Sequence, residues 1–296
     1  MIICLPIVLI GIVLSMVSAV LYDLLRSEGK VMLMMSLITL GASLNIILDA
    51  IFIFVLQLGV SGVTYATLIS QGLGLLLALW FYLSGKTRLK LRLFAYRLDY
   101  HCIKGILLLG IPILISHAGV SIFIALINYS ITRLAEVNND LMISAYGIIG
   151  RLIIFVILPN IAMTIAFQTL SGYNYGAGLY HRVCAILRIG LIASGGYGLL
   201  MSLLIILFPE PIISLFTDQQ QLIEVTASIT YMVFLFFSLA NIQTMGAAFF
   251  QTLGKARPAL LLSSVRTYLI LLPALLILPP WLGVNGIWLA FPLADG

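Results

Sequence analysis

Charge is scarce in this chain. Asp, Glu, Lys and Arg together supply 8% of its 296 residues, against roughly 25% in a typical soluble domain. That excludes an ordinary water-facing surface. Hydrophobic residues reach 62%, more apolar surface than one core of this length can hide, whereas a bilayer accepts it directly. Cysteine is sparse too: Cys4, Cys102 and Cys184 are odd in number and scattered, so they form neither a CxxC metal pair nor a disulfide framework. No HExxH, serine triad or metal-spaced His/Cys cluster occurs. Gly85-Lys86-Thr87 does not close a phosphate loop, because Trp80 stands where the upstream glycine is needed. The chain therefore reads as no enzyme, with no metal site and no cofactor. Its net charge of +5 does not indicate nucleic acid, because the cations sit in short segments between apolar runs. No basic segment precedes the first apolar run, which reads as a span rather than a cleaved signal.

A membrane span takes about 20 mainly apolar residues. That rule predicts spans over 3–24, 33–57, 61–83, 107–131, 143–169, 184–208, 223–249 and 259–279, with a ninth opening at 283. The expected fold class is all-α, a polytopic transmembrane helical bundle in the cell membrane with the lipid bilayer as its surroundings. The longest connection, 85–104, carries Lys86, Arg88, Lys90, Arg92, Arg97 and Lys104 and is placed in the cytoplasm. Alternation then puts Arg26, Lys30, Arg182, Arg188, Lys255 and Arg257 inside, and Arg133, Glu136, Asp140, Glu210 and Asp218 outside. The cationic bias agrees with the alternation at every loop.

The chain repeats itself. LGVSGVTYA (58–66) matches LGVNGIWLA (282–290), and the same offset of 224 aligns ILDAIFIF (47–54) with LLPALLIL (271–278). Gly29-Lys30 falls on Gly254-Lys255 one residue further out. The first three spans thus correspond to the last three, in the same direction through the membrane. Spans four to six have no counterpart, so a protein of two full copies is expected to carry about 120 residues ahead of Met1. Three segments follow: 1–84 as the remainder of a first lobe, 85–104 as a cationic linker, and 105–296 as a second lobe.

Asp49 lies well inside a span, where an ionised carboxylate costs about 2.5–3.5 kcal/mol on insertion scales. Asn45 is one turn earlier on the same face. Counted from the hairpin at 58–62, Asp49 is roughly 13 Å deep at 1.5 Å per residue. Thr67 returns to a similar depth on the next helix. A carboxylate, an amide and a hydroxyl converging there would bind a proton or a small cation; a purely structural interhelical hydrogen bond is the alternative. In the second copy Pro273 stands at the position of Asp49, and spans four and seven hold no interior acid.

Several strings resemble the MATE (multidrug and toxic compound extrusion) transporter family. GYNYGAG (172–178) is similar to that family's GYNYGA motif, and ISAYGIIGRLIIF (143–155) to AYGIINRLMMF, with Gly150 where asparagine is usual. LNIILDAIFIF (44–54) resembles LNIILDPIFIF with Ala50 for proline, and GVNGIWLAFPLAD (283–295) also fits. The resemblance covers essentially the whole chain. It implies a two-lobed helical transporter of twelve spans, of which this chain would hold the fourth to the eleventh and part of the twelfth, lacking the first three. It also implies that Asn45, Asp49 and Thr67 belong to an amino-lobe cation site, whose other carboxylate sits on a first span that this chain does not include.

The resulting expectation is a bacterial-type secondary multidrug efflux transporter, a proton- or sodium-coupled antiporter of small organic, often cationic, compounds. It needs no cofactor beyond the coupling ion and takes no nucleic acid as partner, though a separate amino-terminal segment is a candidate partner. A lipid-linked oligosaccharide flippase of related architecture is a second expectation, and a non-transporting scaffold or transporter remnant a third. Candidate cavity or substrate contacts are Asn128, Tyr146, Arg151, Gln168, Gln243 and Met245. Tyr129, Met163, Phe167, Phe236, Phe237 and Phe249 are further candidates of the same kind. Arg266 and His117 are interior polar residues for which helix packing is an equal or better reading.

Overall fold

The computed structural model describes residues 4–85, 87, 99–134 and 139–295. Lys86, Arg88, Lys90, Arg92, Arg97 and Glu136 lie outside those residues. The described chain is helical throughout, without a strand. Its helices are α1 (Cys4–Ser27), α2 (Val31–Ala50), α3 (Gly59–Leu83), α4 (Tyr100–Leu134), α5 (Asn139–Gly176) and α6 (Tyr180–Leu207). There follow α7 (Pro209–Ile213), α8 (Gln220–Phe234), α9 (Phe237–Thr252), α10 (Ala256–Ser264), α11 (Leu272–Leu282) and α12 (Val284–Asp295). A π-helical turn, Ile51–Val55, extends α2, and a second, Val265–Leu271, joins α10 to α11.

Seven of these helical stretches are long and apolar enough to cross a bilayer, and the α8–α9 pair makes an eighth. Their boundaries match the hydropathy reading to within seven residues, the largest differences being the start of α4 and the end of α5, except that the seventh predicted span, 223–249, is broken. There α8 and α9 meet at a 45° bend. No proline or glycine stands at 234–237 to announce it. The bend lies where α6 presses on the start of α9: a Cβ on Gly198 would come within 2.9 Å of the Ser238 Cα. Tertiary contact, rather than local sequence, accompanies the break.

The chain divides into two units, Met1–Arg97 and Leu98–Gly296. In the first, α3 packs on both α1 and α2, around Leu21, Leu25, Leu37, Ala78 and Tyr82. In the second, a larger apolar core gathers residues of α4, α5, α8 and α12, with Trp288 and Phe234 fully buried. Phe123 of α4 meets Phe291 of α12 edge to face at 5.2 Å. The widespread exposed Leu, Ile, Val and Phe side chains are what a lipid-facing surface requires.

The repeat read from the sequence has a backbone counterpart. Gly29 and Gly254 both take positive φ, 79° and 70°, and each ends its helix with the same pair of bonds. Gly29 N–H donates to Arg26 O and Lys30 N–H to Leu25 O; Gly254 N–H donates to Gln251 O and Lys255 N–H to Phe250 O. This is a glycine-terminated Schellman cap, which consumes carbonyls that lipid could not satisfy. Gly59 and Gly283, 224 residues apart, open the returning helices at φ 55° and 61°. One turn on, a Cβ at Gly286 would lie 2.5 Å from Leu278 O, and one at Gly62 would lie 3.2 Å from Phe52 O. The second hairpin leaves no room for a side chain at that point, while the first is tight enough that its neighbours would have to give by a few tenths of an ångström.

Candidate functional site

The polar residues of the first unit collect where α2 and α3 run antiparallel. Asn45 and Asp49 are one turn apart on α2, and Thr67 returns on α3. Thr67 Oγ1 donates to Val63 O at 2.9 Å, which leaves its oxygen free to accept from Asn45 Nδ2 at 3.4 Å. Asp49 lies one turn nearer the hairpin. Its Oδ1 is buried and has no hydrogen-bond partner among the described residues. An acceptor left unpaired inside an apolar bundle is costly unless something positive reaches it.

A cavity of about 300 Å3 adjoins this contact, lined by Ser15, Ser18, Tyr22, Asn45, Thr67 and Gln71 among others. The structure thus brings Asn45 and Thr67 together, while Asp49 sits beyond the cavity's lining. Gln71 was not singled out from the sequence. It follows Thr67 by one turn, and its Oε1 is a second buried oxygen without a partner. The spacing Thr-x-x-x-Gln on the returning helix was the available signal.

The second-unit candidates are dispersed. Asn128, Tyr129 and Arg151 are exposed, and Asn128 Nδ2 donates back to Ile124 O. Tyr146 packs on Trp288 at 6.3 Å. Gln168 donates to Gln251 Oε1 at 3.1 Å, and Gln243 to the Leu262 carbonyl. Met245 is fully buried beside Phe167 and Ala248, with no surface to offer a bound molecule in this state. Arg266 pairs with Asp295, whose side chain is 1% exposed. Asp295 is therefore an interior acid of the second unit that the reading of spans four and seven did not reach. A separate buried group joins α5, α6 and α9: Ser194 Oγ lies 2.7 Å from Asn160 Oδ1 and 3.1 Å from Asn241 O. Among the described residues no three His, Cys, Asp or Glu side chains come together as a metal site.

The fold and this sparse intramembrane polarity define a multi-pass helical membrane protein. Residues 112–276 match the MatE family, and the chain belongs to that family. The chain is 28% identical to a probable multidrug resistance protein NorM of Thermotoga maritima, across 98% of this chain and 63% of that protein. It is 30% identical to Protein DETOXIFICATION 44, chloroplastic, of Arabidopsis thaliana, across 65% of this chain and 35% of that one. Among solved structures, a MATE in complex with MaL6 superposes with a TM-score of 0.88 at 24% identity, covering 99% of this chain and 66% of that one. The chain thus spans about two thirds or less of the length of these proteins. The family match lies wholly within the second unit, so the Asn45–Asp49–Thr67 group falls outside it.

Proposed function

We propose that this chain forms part of a cation-coupled antiporter that expels small, often cationic, organic compounds across the cell membrane. Asp49, supported by Asn45 and Thr67, is the coupling site. The observation carrying this reading is the unpartnered Asp49 Oδ1, one turn from the amide–hydroxyl contact between Asn45 of α2 and Thr67 of α3. A proton or a sodium ion supplies the missing positive partner. Loading and unloading it shifts the balance between two conformations, because an ion moves an equilibrium only by binding one state better. The names of the relatives, multidrug resistance and detoxification, support organic compounds as the cargo. Family membership supports transport over enzymatic chemistry.

The test is ethidium efflux from cells that express the chain in its natural reading frame, compared with the Asp49→Asn variant. The reading predicts efflux by the parent, and a fall of at least tenfold in Asp49→Asn at equal membrane abundance. Unchanged efflux in the variant would overturn Asp49 as the coupling residue.

A further inference from the structure

Arg266 and Asp295 form an ion pair where none is expected. Arg266 lies on the π-helical turn Val265–Leu271 and donates through Nε to Asp295 Oδ1 of α12. Counted along their helices from Ala256 and from Gly283, the two residues are about 15 Å and about 18 Å in, near the middle of a core about 30 Å thick. The carboxylate is closed off at 1% exposure, and the guanidinium retains 28%. A well-packed apolar pair at such a place is commonly as stable as the ions or more so. Stability alone therefore does not account for the pair.

The internal repeat gives its counterpart. At the offset of 224 Asp295 falls on Gln71 and Arg266 on Ala42; at the 225 of the cytoplasmic ends Arg266 falls on Gly41. Gln71, Ala42 and Gly41 all line the first unit's cavity of about 300 Å3. There Gln71 Oε1 is buried without a partner. In the second unit the equivalent acceptor is a full carboxylate, and a long cationic side chain grows from the wall that is only glycine or alanine in the first. The other polar positions are erased in parallel: Asn45, Asp49 and Thr67 correspond to Leu269, Pro273 and Phe291.

We infer that Arg266 is a tethered cation, which fills in the second unit the place that corresponds to the first unit's cavity beside Gln71, one turn from the proposed ion site at Asp49. The guanidinium is the permanent counter-ion of Asp295, so the second unit needs no ion from solution. Under the proposed function, on which this clause rests, ion coupling is then confined to the first unit. Tyr268 holds the π-helical turn in place from the other side, its hydroxyl donating to Ile115 O of α4 at 2.7 Å. The cation is thereby fixed by both covalent and tertiary anchors.

The experiment uses the full chain, purified in detergent and carrying Asp49→Asn so that the first unit's ion cannot contribute. Thermal unfolding of Arg266→Ala is followed against millimolar guanidinium chloride, with tetramethylammonium chloride at equal ionic strength as the control. The expected result is a melting temperature lowered by several degrees and restored saturably by guanidinium. The Arg266-containing parent and the Arg266→Ala/Asp295→Asn double variant are expected to show no such restoration. No saturable restoration, or the same restoration in the double variant, overturns the inference. If Arg266→Ala is not recovered folded, Arg266→Lys and Arg266→Met decide. Recovery of the lysine variant alone supports a required charge, and recovery of both or of neither overturns it. Because Asp49 is already replaced, failure here leaves the first unit's coupling test intact.

Discussion

Asn45 Nδ2 donates to Thr67 Oγ1 at 3.4 Å, across the α2–α3 hairpin of the first unit. The contact is long for a hydrogen bond, and the threonine hydroxyl is itself committed to Val63 O. It positions the two side chains more than it holds the helices together.

A double-mutant cycle with Asn45→Ala and Thr67→Val therefore gives a small coupling energy, about 0.6 kcal/mol, as is typical between membrane helices. Thermal unfolding in detergent of the four proteins measures it. Strict additivity would mean that the contact is incidental.

The second hairpin is built on close approach. Gly286→Ala places a Cβ 2.5 Å from Leu278 O, which is backbone and cannot turn aside. The expected cost is about 1–3 kcal/mol. Gly196→Ala, with nothing within 4 Å of its added Cβ, leaves the melting temperature essentially unchanged. Equal effects at the two glycines would contradict the packing account.

Orientation is testable with native cysteines. Cys102 and Cys184 are exposed and stand near the starts of α4 and α6, on the side the cationic loops assign to the cytoplasm. In a Cys4→Ala background, a membrane-impermeant maleimide labels both in inside-out vesicles and neither in intact cells. Labelling of either from outside would reverse the topology.

Much of this architecture was readable from hydropathy, because lipid punishes polar side chains throughout a span and so writes the spans into composition. The repeat was readable because its glycines are required by backbone geometry: Gly29 and Gly254 at their caps, Gly62 and Gly286 at close contacts. Three features were not readable. The bend between Phe234 and Phe237 arises where Gly198 lets α6 press on α9, a contact between residues about 40 apart in the chain. The Arg266–Asp295 pair joins side chains 29 residues apart, and neither residue alone announces the other. Gln71 resembles an ordinary helix-surface glutamine until the cavity beside it is seen. Depth counted from the hairpin sets Asp49 opposite Thr67 with Asn45 a turn away, whereas Asn45 is the residue that meets Thr67 and Asp49 Oδ1 stands unpaired a turn nearer the hairpin. Residue counts along two helices do not fix their register against each other.

The most direct test of the central claim is infrared difference spectroscopy of the purified chain in lipid. Spectra at about pH 8 are compared with those at about pH 5, and sodium-free with sodium-loaded samples, for the parent and for Asp49→Asn. The account predicts a carboxyl signal that responds to protons or to sodium in the parent and is missing from Asp49→Asn. A difference spectrum identical in the two proteins would mean that Asp49 binds neither ion, and would contradict the assignment of coupling to this site.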